Sequence, residues 1–425
     1  GTFISKSNIN DKDLNVTVTD IMTSNNIYFL SGKKITEING DGDAWVARVN
    51  EKGLFNWDYS YGGRGADGAN HIVELSNRSH YLLTGYTDAY GEGERDVWLI
   101  KLDKDGKKVW SNVYGGKKND VGEKTVETFK RDFIIIGSTD SFGSGNSDIY
   151  LVKVDSIGKD RWSKTFGGLG EDNGVDIIQS KDSNIVIVGN TNSYGKGGSD
   201  IWIMKLDSLG NSIWDTKYGG SGIDIANAMI MTDDMSYVVV GQTSSFSNGS
   251  LDGWIIKFNK NGNFMWQNTF GGNGTDGFND IYETDNKDLI LVGEYSSHFS
   301  KGSKDSYIVR TDKNGKKKWE TYLGGKEADQ AMSISGSDKY GFILIGETAS
   351  SGNGKSDLQL LAIDGNGKQL WEKTYGGPGV DLGTSIIETS DGIFIASGIS
   401  TISKLSYDAL IILTDDQGKS EPYKK

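Results

Sequence analysis

The chain has 425 residues, a formal net charge of −13, 59 glycines, 2 prolines and no cysteine. With no stripe of Lys and Arg, the acidic balance speaks against a nucleic-acid partner, whose phosphates need cationic contacts. No apolar run approaches the roughly 18 residues of a membrane-spanning helix, and the missing cysteines exclude disulfides and thiol chemistry.

In chain order, the first expected element is a short strand over residues 2–6, Thr-Phe-Ile-Ser-Lys. A repeat then takes over. Trp57, Trp110, Trp162, Trp214, Trp266, Trp319 and Trp371 follow one another at 52 or 53 residues, each leading four residues later to Tyr, Phe or Leu and then Gly-Gly. A fixed period of this size denotes stacked units that bury a core only together. Each unit reads as four short strands, A to D. A first aspartate opens strand A: Asp13, Asp67, Asp120, Asp172, Asp224, Asp276, Asp329 or Asp381. A polar turn leads to the apolar strand B, which ends in Gly. A Gly/Ser-rich loop follows, and a second aspartate opens strand C: Asp43, Asp96, Asp148, Asp200, Asp252, Asp305, Asp357 or Asp408. An Asp-x-x-Gly turn then leads to strand D and its Trp.

Strands B and C, such as Phe133–Ile136 and Val97–Leu102, carry apolar residues on both faces. A half-exposed strand would alternate, so each small sheet must be covered on both sides. Radial stacking does this, and the expected fold is all-β: an eight-bladed β-propeller of four-stranded antiparallel sheets, one domain over residues 1–425. In the last unit the Trp position falls on Pro422. Proline makes a poor strand centre, so residues 415–425 are expected as a polar tail. Residues 2–6 are then expected to supply the outer strand of the last blade and close the ring.

The Trp position and the turn before it, as in Asp103–Gly106, Asp155–Gly158 and Asp207–Gly210, resemble the tryptophan-docking repeat of the quinoprotein-like propellers. The resemblance implies that the seven tryptophans staple adjacent blades. The glutamates, asparagines and adjacent cysteines that bind quinone in enzymes of that family have no match here, so the redox chemistry is not carried over and no cofactor is expected. The longer Trp…Tyr-Gly-Gly…Asp pattern is similar to the repeat propellers of bacterial exported proteins, including surface lipoproteins. That similarity implies an exported scaffold and names no activity. The chain starts at Gly1 and is rich in Asn, Asp, Ser, Gly and Thr. An extracellular or cell-surface location is expected, with an export or lipid-anchoring segment removed.

The recurring aspartates have two readings. As loop-fixing acceptors of backbone N–H groups they are architectural; as calcium ligands they lack the carboxylate set that ends in a bidentate Glu. The architectural reading is preferred, with calcium the minor alternative and no metal site assigned. Function is sought where the copies differ. The loops between strands B and C carry an aromatic six residues before the second aspartate in five units: Tyr90, Phe142, Tyr194, Phe246 and Phe299. The other three have Ser351, Ile402 and Glu37. Such an arc suits a sugar ring or a protein partner, while its bland reading is loop packing. Four residues past the first aspartate, strand A is expected to line a channel with Thr17, His71, Lys124, Asp176, Ala228, Asp280, Ser333 and Ser385. Of these, His71, Lys124, Asp176 and Asp280 carry chemistry. The basic residues Arg48, Lys101, Lys153, Lys205, Lys257 and Arg310 in strand C are expected to pair with acidic neighbours.

Three functions are weighed. The leading one is a monomeric, non-catalytic binding or scaffold protein whose ligand, a glycan or a protein, meets the loop-rich face. The second is a glycan-active hydrolase or lyase at the channel mouth, drawing a carboxylate pair from Glu123, Asp176 and Asp280. The third is an envelope assembly platform.

Overall fold

The computed structural model describes residues 2–5, 15–24, 27–35, 41–50, 55–297, 300–388, 394–403, 406–415, 417, 419 and 421–422. Asp13, Glu37 and Phe299 lie outside them.

The two aspartates of each repeat mark strand starts. In the sheet over residues 172–218 the strands are Asp172–Gln179, Ile185–Thr191, Asp200–Leu206 and Ser212–Tyr218, paired antiparallel in that order. Strand C is buried along its whole length and strand B almost so, whereas strand D is exposed at Ser212, Ile213 and Asp215 and half-buried elsewhere. That gradient explains the apolar runs. Successive side chains of strands B and C point to opposite faces, and both faces are covered. Phe133 and Ile135 join a core with Leu82, Val97 and Leu99 of the sheet on one side, while Ile134 and Ile136 join Ile177, Ile185 and Ile187 of the sheet on the other.

Two turns recur. The C-to-D turn is an Asx turn: Asp207 Oδ1 accepts the N–H groups of Leu209 and Asn211 at 2.8 and 2.9 Å, and Gly210 closes it at φ +74°. Strand A breaks register once per sheet, between Gly174 and Asp176 in this one. A β-bulge re-aims the residue that follows it, so the position after the bulge is set apart from the rest of strand A.

The chain divides into two compact units. Residues 62–270 form one, with the sheets over 67–114, 120–166, 172–218 and 224–270. Residues 1–61 and 271–425 form the other, with the sheets over 15–61, 276–323 and 329–375 and the sheet in which the chain ends pair.

The expectation of eight four-stranded antiparallel blades is corrected. Seven sheets have that form; the remaining one has five strands and mixed pairing. Thr2–Ser5 pairs antiparallel with Ser406–Thr414, Phe3 opposite Ile412, and on its other side pairs in parallel with Glu421–Pro422. The expected polar tail therefore contributes a strand. Its physical reason is the edge: Thr2–Ser5 would otherwise end the sheet with a row of open backbone groups. Pro422 is tolerated because an outermost strand can leave one side without ladder donors.

The first repeat is also corrected. Gly32 pairs with Val18 as Gly85 pairs with Ala69, so Val16 stands where the other sheets have a first aspartate. The residue after the bulge is accordingly Asp20, not Thr17, which pairs with Lys33.

Candidate functional site: the aromatic loop rim

The loops are tied by side chains at the strand ends. Asp172 is fully buried. It accepts the Gly168 N–H at 2.9 Å and the hydroxyls of Thr191 and Ser193. Ser193 Oγ accepts the Gly170 N–H at 2.8 Å, and Thr191 Oγ1 accepts the N–H groups of Ser193 and Tyr194 at 3.1 and 3.2 Å. The same set surrounds Asp120, from Gly116, Thr139 and Ser141, and Asp224, from Gly220, Thr243 and Ser245. These carboxylates are occupied by loop donors, which is the architectural arrangement.

The second aspartate holds the loop tip. Asp200 Oδ2 accepts the Lys196 N–H at 2.8 Å. Its other oxygen lies against Gly219, where an added Cβ would sit 1.7 Å from Asp200 Oδ1 and 2.7 Å from Asp224 Oδ2. Only glycine fits between the two carboxylates, and the same holds at Gly115, Gly167, Gly324 and Gly376. Burial pushes the Asp200 carboxyl above its usual range; the Lys196 N–H opposes this and the charge of Asp224 adds to it.

The rim aromatics stand on this frame. Tyr90, Phe142 and Tyr194 are 46%, 43% and 43% exposed, and Phe246 is half-buried. Each ring leans on the strand-C aromatic of its own sheet: Tyr90 on Trp98, Phe142 on Tyr150, Tyr194 on Trp202 and Phe246 on Trp254, with centroids 5.2–5.6 Å apart. The two tyrosines are also pinned, Tyr90 Oη donating to Gly62 O at 2.8 Å and Tyr194 Oη to Gly167 O at 2.7 Å. Each ring thus has a packed face and an open face.

The strand-A candidates are engaged within the fold. Lys124 Nζ donates to Asp176 Oδ1 at 2.6 Å. Asp176 also accepts the N–H groups of Ile177 and Met229, at 2.8 and 3.3 Å. Asp280 accepts the Ser333 hydroxyl at 2.8 Å and the N–H groups of Ile281 and Ile334, at 2.8 and 3.1 Å. His71 is neutral at ordinary pH: burial and the nearby Lys124 charge lower its pKa to about 3. Glu123, the third carboxylate considered for hydrolysis, accepts from Asn70 at 3.2 Å and is pushed up by burial. Among the described residues, no group of three His, Asp or Glu side chains is placed to hold a metal ion. None of them forms a helix long and apolar enough to cross a membrane.

Strand-C bases pair with carboxylates of their own sheet, and Lys153 also reaches the next. Lys153 pairs with Asp132 of its own sheet at 3.3 Å and donates to Ser208 O of the next at 3.1 Å. Lys205 pairs with Asp182 at 2.6 Å, Lys257 with Asp234 at 3.1 Å and Arg310 with Asp288 at 2.7 Å. The strand-D tryptophans lie under the C-to-D turn of the next sheet. Added Cβ atoms on Gly158, Gly210 and Gly367 would meet Trp110, Trp162 and Trp319 within 2.7–3.0 Å. Trp162 and Trp319 also donate to the carbonyls of Ser208 and Gly365, at 3.3 and 3.1 Å.

Between the sheets 67–114 and 120–166 is a feature the sequence reading missed, a cavity of about 430 Å³ bordered by Phe142, Tyr150, Tyr114, Asn112, Ser163 and Asp160. Only Phe142 was singled out from the sequence. The others become visible when the repeats are compared position by position on the folded sheets.

No family model matches the chain. It is similar to the regulatory protein FlaEY of Caulobacter vibrioides, 24% identical over 185 residues, and the match spans 37% of this chain and only 19% of that protein. Among solved structures, it is similar to Sqt1 from Chaetomium thermophilum, with a TM-score of 0.57 at 8% identity over 95% of this chain and 97% of that one. It is also similar to a puromycin hydrolase, with a TM-score of 0.51 at 11% identity over 92% of this chain and 60% of that one. At these identities the likeness concerns architecture alone: the chain has the β-propeller fold.

Proposed function

We propose that the chain is a non-catalytic binding or scaffold protein of the bacterial cell exterior, meeting a glycan or protein partner through the loops between strands B and C. The observation that carries this reading is the fixed, half-exposed set Tyr90, Phe142 and Tyr194. Pinned rings lose little conformational entropy on contact, and aromatic anchors dominate recognition surfaces. Asp120, Asp172 and Asp224 and the strand-A carboxylates Asp176 and Asp280 accept internal hydrogen bonds, which favours the binding reading over the hydrolase reading. In this proposal the tryptophan contacts are the staples of a tryptophan-docked propeller, a rigid support for the rim.

The test is a glycan array and an affinity capture with wild type, Tyr90→Ala and Tyr194→Ala, each variant also followed by thermal unfolding. A ligand lost on substitution with the unfolding temperature kept within a few degrees supports the reading. Equal capture by all three proteins overturns it, as does turnover of a polysaccharide panel by the wild type.

A further inference from the structure

The loop rim repeats, but the wall beneath it does not. In the sheet 172–218, Lys217 lies directly across from Trp202. Its ammonium sits 4.5 Å from the Trp202 ring centre and 5.3 Å from that of Tyr194, paired with Asp215. In the sheet 224–270 the residue across from Trp254 is Thr269. There Phe264 fills the space, stacked on Tyr218 at 5.0 Å and 7°. In the sheet 120–166 neither filler is present. Thr165 lies across from Tyr150, Ser163 stands at the position of Asp215, and Asp160 stands at the position of Phe264. The space left is the cavity of about 430 Å³, within the range that small ligands occupy.

Its walls are chemically specific. Phe142 and Tyr150 present two tilted rings 5.6 Å apart. Tyr114 and Asn112, from the preceding sheet, both donate to Gly158 O, at 2.6 and 2.9 Å, which holds the far wall in place. Asp160 is exposed at the start of its strand, and its carboxylate has no hydrogen-bond or ion-pair partner among the described residues. Of the two basic neighbours in sequence, Arg161 is taken up by Asp155 at 3.2 Å, and Lys159 is exposed and also acts on Asp155. The charges acting on the Tyr114 and Tyr150 phenols are all carboxylates: Asp96, Asp120, Asp155 and Asp160. Paired aromatic faces beside a carboxylate attract a positive group, as the equivalent wall one sheet away holds the ammonium of Lys217.

We infer that the cavity bordered by Tyr114, Phe142, Tyr150 and Asp160 binds a primary alkylammonium group of lysine size. It goes beyond the reading of the rim as a binding surface, because it would stand even if Tyr90 and Tyr194 contacted nothing. The chemistry is shared by a free small amine and by the lysine side chain of a protein.

Isothermal titration of the full chain with N-acetyl-lysine methylamide, butylamine and the uncharged N-acetyl-norleucine methylamide tests it. Saturable binding of the two amines at about millimolar affinity is expected, with none for the norleucine compound. Tighter binding of the lysine compound than of butylamine assigns a protein side chain as the source, and equal binding assigns a free amine; both meet the inference. Asp160→Asn should weaken binding roughly tenfold, about 1.4 kcal/mol. Thr165→Lys, which installs the neighbouring sheet's own filler, should abolish it without lowering the unfolding temperature. Should Thr165→Lys fail to fold, Asp160→Asn decides. No saturation by either amine, equal binding of the norleucine compound, or undiminished binding in the folded variants overturns the inference. None of these outcomes touches capture through Tyr90 or Tyr194.

Discussion

Gly262 lies flat on the indole of Trp214: a Cβ added to the glycine would sit 2.4 Å from Cε3 of the ring. The glycine belongs to the C-to-D turn of one sheet and the tryptophan to strand D of the sheet before it, so one contact joins turn conformation to sheet stacking. Gly262→Ala meets two penalties. Its φ of +77° is in the left-handed region, which strains any residue with a Cβ by about 1–2 kcal/mol, and the indole must move. A loss of roughly 2–4 kcal/mol is expected in chemical denaturation. Gly377→Ala is the control, since an added Cβ there meets nothing within 4 Å; its change should stay within about 0.5 kcal/mol.

Asp172→Ala removes the acceptor shared by Gly168, Thr191 and Ser193. Thr191 is left as a buried donor and Gly168 and Ser193 as half-buried ones, at up to about 1–3 kcal/mol each before relaxation. A loss of about 3–5 kcal/mol in unfolding free energy is expected, with faster amide exchange at Gly168. Wild-type exchange at that amide would show that Asp172 does not tie the loop.

The carboxyl of Asp200 is raised by burial, with the Asp224 charge adding to it. A carboxyl raised in the folded state contributes stability that is complete below the unfolded value of 3.8 and is lost as pH rises through the folded value. At neutral pH it is therefore a liability. Asp200→Asn retains an acceptor for the Lys196 N–H and relieves the like-charge contact. Its unfolding temperature should exceed that of wild type near pH 7, with the gap closing toward pH 4. A variant less stable than wild type at both pH values would contradict this.

Lys205 is 5% exposed and bonds to Asp182 at 2.6 Å. Burial pushes Asp182 up, but the hydrogen bond from Lys205 and the Asn184 N–H outweigh it and hold the carboxyl below its usual range. The stability from this pair is present above about pH 4 and lost as pH falls through the lowered value. Lys205→Ala should cost roughly 1 kcal/mol near neutral pH, because the Asp182 side chain is 44% exposed and returns to solvent, measured by urea unfolding, and should flatten the acid limb of the stability profile. An unchanged acid limb would show that Asp182 is held by Asn184 alone.

The strand plan was legible because its signals are local. Asp96, Asp148, Asp200 and Asp305 each begin a strand, and the two-sided apolar runs of strands B and C follow from coverage on both faces. The first repeat was misread because Asp13 was taken as the partner of Asp67, whereas pairing to Gly32 places Val16 there. The fifth strand escaped because Pro422 rules out a strand centre but not an edge. Of the loop frame, the aspartates were visible but their partners were passed over. The signal was available in Gly-x-Thr-x-Ser, which ends strand B at 137–141, 189–193 and 241–245 and places both hydroxyls on the carboxylate. The alkylammonium cavity was illegible for a different reason. It is made by what is missing across from Tyr150, and an absence acquires meaning only when neighbouring sheets are superposed.

The loop frame has a consequence for how such a surface can change. Every bond that fixes the loop of residues 192–199 ends on a strand-terminal side chain or on backbone, while positions 195–198 face solvent. The tip can therefore be rewritten without disturbing its mount, provided the flanking Thr191, Ser193 and Asp200 are kept. Each such loop works as an exchangeable cartridge, through which new specificity is acquired one slot at a time at little risk to the sheet that carries it.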